Sequence, residues 1–240
     1  MPSVLRERLD DDIAVLRLDR PERRNAMDSP MLAEINDALA ELATDDALAA
    51  LVFSTTSEKA LCAGADVSET LDDDDAVARM QAFTRMYAAL DAFPAPTIAV
   101  CVGNCIGAGA ELVAASDLRV GGDNLRLGWP GARLGVPVGP ARLTPLVGVA
   151  RAKDLIFTGR LIDAAEAGAL GLLHTEVPAA QAEEAALTLA RTVTAHSPEG
   201  LRRLKVMFRD LEDTERRAAY ENERLLEFER HGPGLPRTRA

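Results

Sequence analysis

Residues 96–117 read PTIAVCVGNCIGAGAELVAASD, passing from a β-type apolar run through a glycine turn into a helix. The run Thr97–Val102 is rich in β-branched and small apolar residues, which suits a buried strand. Glycines follow at Gly103, Gly107 and Gly109, and the helix-like ELVAAS segment carries one acid, Glu111, just inside its start. Glycine lets a backbone approach a ligand closely, and the first amides of a helix are unsatisfied donors pointing outward. Such a corner can hold a developing oxyanion with a carboxylate one turn away, an arrangement suited to chemistry on an acyl group.

The flanking sequence alternates strands with helices. Val4–Leu9 and Ile13–Leu18 read as strands joined by a turn at Asp10–Asp12. After Pro21 and a basic loop, Asp28 or Ser29 caps a helix with Pro30 at its first position and an apolar stripe of Met31, Ile35, Ala38, Leu39 and Leu42. Leu48–Ser54 is a strand, Leu61–Val67 a glycine-containing loop, and Asp75–Phe93 a helix ended by Pro94 and Pro96. Leu118–Val120 and Leu125–Leu127 are further short strands. This rhythm calls for crossover connections and a mainly parallel sheet. The segment GVPVGPARLTPL reads as a loop. From Arg151 onward the chain reads as helix, at Ala152–Phe157, Ala164–Ala169, Ala179–Ala195 and Glu199–Phe228, before a tail, HGPGLPRTRA, expected to be poorly ordered.

The chain has 240 residues, 48% of them hydrophobic, which is enough for one substantial α/β core. A net charge of −11 argues against nonspecific nucleic-acid binding but leaves a small anionic ligand open, because local charge governs such a site. The acidic run Asp72–Asp75 reads as a solvated helix start. The three cysteines, Cys62, Cys101 and Cys105, lack a paired spacing and read as buried reduced thiols, and no metal-ligand pattern is present. With no signal-peptide pattern and no apolar run of about 20 residues, a cytoplasmic protein with no membrane partner is expected.

Four ordered segments carry a resemblance: RPERRNAMD, KALCAGADVSE, PTIAVCVGNCIGAGAELVAASDLRV and FTGRLIDAAEAGALGLLHTEVP. Together they resemble the crotonase superfamily, the enoyl-CoA hydratase/isomerase family. The resemblance implies an α/β fold, a crotonase-like ββα spiral with a helical C-terminal region. Residues 1–178 would form the core with the acyl-CoA site, and residues 179–240 a helical region serving trimerisation. It implies an acyl-CoA thioester substrate, no separate cofactor because coenzyme A arrives with the substrate, and a homotrimer or dimer of trimers. The backbone amides of Ala65 and Ala108 would supply the oxyanion hole, with Glu111 as acid and base. Arg23, Arg24 and Lys59 are candidate partners for the coenzyme A phosphates, and the Ala63–Asp66 backbone for its pantetheine and adenine end.

The chain also departs from the family pattern. Hydratases of this family place a second glutamate after a proline; here LGWPGARLG keeps Pro130 but has Gly131 in the acid's place. Losing a positioned acid or base commonly costs 10²–10⁴-fold. Trp129 is either a wall of the acyl pocket or a core residue. The three histidines, His174, His196 and His231, lie outside the catalytic loops and read as structural. Three functions stay open: an enoyl-CoA hydratase-like enzyme with a single glutamate, an enoyl-CoA isomerase or acyl-CoA decarboxylase on the same site, and a non-catalytic acyl-CoA-binding protein.

Overall fold

A computed structural model describes residues 2–10 and 12–239 of the chain. Strands β1 (Val4–Leu9) and β2 (Ile13–Leu18) pair antiparallel, and residue 11 of the expected Asp10–Asp12 turn lies outside the described residues. Helix α1 (Ser29–Leu42) starts as its sequence dictates. The Asp28 side chain accepts from the Met31 amide, and the missing N–H of Pro30 costs nothing in the first turn. Its Met31, Leu32, Ile35 and Leu39 are fully buried, each contributing about 1.5–3 kcal/mol of apolar burial.

A ββα unit then recurs. Strand β3 (Ala50–Thr55) is followed by β4 (Ala60–Cys62), a short strand β5 (Thr70–Leu71) and helix α2 (Asp73–Ala92). Next come β6 (Thr97–Cys101), β7 (Asn104–Ile106) and α3 (Ala108–Ala115), then β8 (Leu118–Gly122), β9 (Arg126–Gly128) and α4 (Pro140–Thr158). The first strand of each unit joins a large sheet and the second a small one. Among the described residues the large sheet runs β1-β2-β3-β6-β8-β10, with β10 at Thr175–Val177, and all but the β1–β2 pair is parallel. The small sheet runs β4-β7-β9, also parallel.

Strand alternation explains why both faces of the large sheet are apolar. Ile13, Val15, Ala50, Val52, Ile98 and Val100 face one way and pack with Ala182, Ala186 and Ala190 of helix α6 (Ala182–Thr194). Leu16, Leu51, Phe53 and Ala99 face the other way into the main core with α1, α2 and α3. The remaining helices are α5 (Ala164–Ala169), α7 (Pro198–Leu211) and α8 (Thr214–His231).

Three expectations are corrected. Most of GVPVGPARLTPL is helical, because Pro140 opens α4 at a position where proline favours the helix, and the bend falls later, at Gly148. The single helix expected over Glu199–Phe228 breaks into α7 and α8 where Asp213 takes a left-handed conformation. The tail is held. Arg237 bridges Glu229, Leu235 packs on the core, and Thr238–Arg239 forms strand β11 beside β5. Asp72 caps α2 as a helix start should, and all three cysteines are buried free thiols. Among the described residues no helix is long and apolar enough to cross a membrane.

Candidate active site

Strands β4, β7 and β9 are parallel neighbours, so the segments that leave their carboxyl ends emerge side by side: Ala63–Asp66, Gly107–Ala108 and Trp129–Gly131. This is how three stretches far apart in sequence converge. The first two come into contact, since a Cβ built on Gly107 would lie 3.9 Å from the Gly64 Cα. Gly109 makes the approach possible, because a Cβ there would meet the Cys62 carbonyl oxygen at 2.2 Å. Gly107 has φ +56° and donates its own N–H to the Gly128 carbonyl, which turns the chain so that α3 begins at Ala108.

The amides of Ala65 and Ala108 donate to no other described protein group, whereas those of Ala63 and Asp66 are spent on the carbonyls of Arg24 and Met27. Both free amides belong to residues bordering a cavity of about 240 Å³. Apart from Tyr87, its walls are otherwise apolar, with Val67, Met80, Phe83, Ile106, Val138 and Leu225 among them, and Gly131 also borders it. Two unspent donors in an apolar cavity suit an oxygen that gains negative charge during reaction.

Glu111 lies one turn into α3 and is fully buried. Both carboxyl oxygens are occupied: Trp129 Nε1 donates to Oε1 at 2.7 Å and Arg142 Nη1 to Oε2 at 3.1 Å. The same Arg142 nitrogen donates to Glu221 Oε1 at 2.9 Å, and Nη2 to Asp91 Oδ2 at 2.7 Å. One guanidinium thus serves three carboxyls, drawn from α2, α3 and α8. Burial, followed by repulsion from Glu221, pushes the Glu111 carboxyl up to about 8, against the pull of Arg142 and Trp129. Burial also raises Asp91 and Glu221. Trp129 is therefore a core residue and a donor to Glu111 rather than a wall of the cavity.

The structure does not bring every expected site residue together. Arg23, Arg24 and Lys59 are exposed and border no part of the cavity, although the Arg24 carbonyl holds the Ala63 amide at the mouth of the first loop. Ala63 borders the cavity. The Asp66 carboxylate is engaged by Ser68 and Arg20, which outweigh its burial and hold it below the usual carboxylate range. His174 accepts the Arg119 amide, and His196 and His231 are exposed. Sequence reading missed Arg142, Asp91, Glu221 and Tyr87. A lone charge in the otherwise uncharged stretch 134–149 was the available signal for Arg142. Asp91 and Glu221 carried none, because their convergence is tertiary.

A parallel ββα spiral with two free amides in an apolar cavity, beside a buried glutamate, defines a class of acyl-group enzyme. Residues 8–231 match the family model for enoyl-CoA hydratase/isomerase, and the chain belongs to that family. It is 37% identical over 206 residues to the Mycobacterium tuberculosis protein named "Probable enoyl-CoA hydratase echA8", covering 85% of this chain and 79% of that one. It is 33% identical over 217 residues to the 2,3-dehydroadipyl-CoA hydratase of Escherichia coli, covering 89% and 85%. The crystal structure of an enoyl-CoA hydratase from Bacillus anthracis superposes with a TM-score of 0.83 at 26% identity, covering 94% of this chain and 91% of that one. The fold is the expected crotonase-like one, and the chain is an enzyme of the hydratase/isomerase family.

Proposed function

We propose that this enzyme acts on acyl-CoA thioesters as an enoyl-CoA hydratase-like catalyst, with the Ala65 and Ala108 amides as its oxyanion hole and Glu111 as its one acid–base group. The observation that carries the reading is the pair of unspent amides at adjoining loops of an apolar cavity. Proton transfer beside a thioester carbonyl passes through an enolate-like state. Each fixed donor to its oxygen is typically worth about 2.7–4 kcal/mol of barrier. Coenzyme A enters as part of the substrate and no further cofactor is invoked. Arg23, Arg24 and Lys59, exposed beside the first loop, are proposed to meet its phosphates.

A second reading rests on Gly131. It borders the cavity where the family pattern puts a second glutamate, so the cavity wall offers no carboxylate. A single glutamate suffices to move one proton between carbons, which favours double-bond isomerisation, or protonation of an enolate left by decarboxylation. Incubation with crotonyl-CoA, a 3-enoyl-CoA and a malonyl-type thioester, with products followed by mass, separates these readings. Glu111→Gln run in parallel should slow whichever reaction is found by about 10²–10⁴-fold. Equal turnover by the variant removes Glu111 from the mechanism, and binding of all three esters without turnover leaves a non-catalytic acyl-CoA-binding protein.

A homotrimer, or a dimer of trimers, is supported by the apolar surface of α7, where Leu204, Met207, Phe208 and Leu211 are all exposed, and by exposed Phe157 on α4. Three buried free thiols suit a reducing compartment and support a cytoplasmic location.

A further inference from the structure

Among the described residues bordering the site cavity, Tyr87 alone has a side-chain oxygen or nitrogen. Glu111 does not border it, and its oxygens are held by Trp129 and Arg142. The Tyr87 ring is clamped. Phe83, one turn earlier on α2, stacks at 6.1 Å between centroids, and the Arg142 guanidinium sits 4.7 Å from the ring centroid. Yet the phenol hydroxyl makes no hydrogen bond with any described group.

Water reaches this hydroxyl through the cavity, but a ligand that fills the space displaces that water. A hydroxyl then left without a partner costs free energy comparable to a lost hydrogen bond, so the fixed phenol calls for an acceptor on the ligand. Burial, with the nearby Glu111 adding to it, pushes the phenol well above its ordinary value, so it remains a donor. The thioester oxygen already has two amides. Arg142, which packs on the ring, also binds Glu111, so the phenol and the proposed proton-transfer group share one cationic neighbour. Resting on the acyl-CoA reading above, we infer that the Tyr87 hydroxyl donates a hydrogen bond to an oxygen at C3 of a short acyl group and so selects for C3-oxygenated ligands.

The test is calorimetric titration of wild type and Tyr87→Phe with butyryl-CoA, which has no oxygen beyond the thioester, and with acetoacetyl-CoA, which has one at C3 and cannot be hydrated. Phenylalanine keeps the ring and its contacts with Phe83 and Arg142. The expected result is about a tenfold loss of acetoacetyl-CoA affinity with less than a twofold change for butyryl-CoA. Equal losses for both ligands would move the phenol to the thioester carbonyl and overturn the inference. No loss for either would overturn it as well. Failure of wild type to bind butyryl-CoA would instead remove the acyl-CoA reading, and the inference with it.

Discussion

The Trp129 indole N–H points at the Glu111 carboxyl, 2.7 Å from Oε1, although the two residues lie on different elements at the end of the small sheet. This bond stabilises the ionised form, but burial and the Glu221 charge outweigh it, and the carboxyl is raised to about 8. Any step in which Glu111 serves as base should therefore rise with pH through an apparent pKa near 8 rather than near 4.5. Stability carries the same signature. Between about 4.5 and 8 the folded carboxyl keeps a proton that the unfolded one has lost, so stability falls as pH rises across that window. Glu111→Gln, permanently neutral, should flatten the dependence of Tm on pH and lower kcat about 10²–10⁴-fold. Thermal melts from pH 5 to pH 9 and a pH–rate profile check both. An unchanged Tm slope in the variant would contradict the raised carboxyl.

Arg142 is the hub of a cluster with more negative groups than positive. Removing it leaves Glu111, Asp91 and Glu221 buried without their shared cation. Arg142→Met should cost about 3–5 kcal/mol of stability by urea unfolding. Adding Glu221→Gln and Asp91→Asn should recover part of that loss, because the penalty comes from unpaired buried charge. If the triple variant is no more stable than Arg142→Met, packing rather than charge accounts for the loss.

The parts of this molecule legible in its sequence are those set by local chemistry. The capping of α1, the alternating strands and the glycine corner before Glu111 follow from residues within a turn of one another. The family resemblance picked out the two loops that carry the unspent Ala65 and Ala108 amides because each loop is contiguous in sequence. What escaped is tertiary. Arg142 falls in a stretch that reads locally as a loop, yet it lies on α4, and its partners come from residues 91, 111 and 221. Tyr87 lies within the Asp75–Phe93 helix with nothing local to mark it, and only the converged loops reveal that it borders the cavity. The tail looked disordered because β11 pairs with a strand from the distant β5 segment.

The contact between α3 and β4 gives a sharper test of the site's architecture. Gly109→Ala places a methyl 2.2 Å from the Cys62 carbonyl oxygen and 2.9 Å from its Cβ, both on a strand that cannot swing away cheaply. The expected cost is about 1–3 kcal/mol, with the Ala65 and Ala108 amides driven apart. Turnover should fall more steeply than stability. Gly168→Ala, at a helix position with open space around it, is the control and should leave turnover unchanged while raising stability by about 0.5–1 kcal/mol.

The exposed apolar face of α7 predicts assembly. Phe208 and Leu211, 63% and 81% exposed, should be covered in a homo-oligomer. Phe208→Glu with Leu211→Glu should shift the wild-type oligomer to monomer in light scattering, with helix content by circular dichroism retained. A monomeric wild type would refute the interface directly.

The departure at Gly131 sets the last prediction, because it opposes steric cost to chemical gain. A Cβ at this position would lie 3.1 Å from the Val136 carbonyl oxygen and 3.2 Å from Val138 Cγ1, tight enough that the 136–138 segment must shift. Gly131→Ala should therefore change stability by no more than about 1 kcal/mol if that segment gives by a few tenths of an ångström, and slow any activity slightly. Gly131→Glu carries the same backbone penalty but puts a carboxyl on a cavity wall that has none. If the missing acid limits hydration, crotonyl-CoA hydration by Gly131→Glu should exceed that of Gly131→Ala by about tenfold or more, short of the full 10²–10⁴ because the segment is strained. Comparison with the alanine variant cancels the clash at Cβ, and Gly131→Gln, nearly isosteric with the glutamate, isolates the carboxyl from the added side-chain bulk. Equal rates for the alanine and glutamate variants would mean that Glu111, held by Trp129 and Arg142, limits hydration instead.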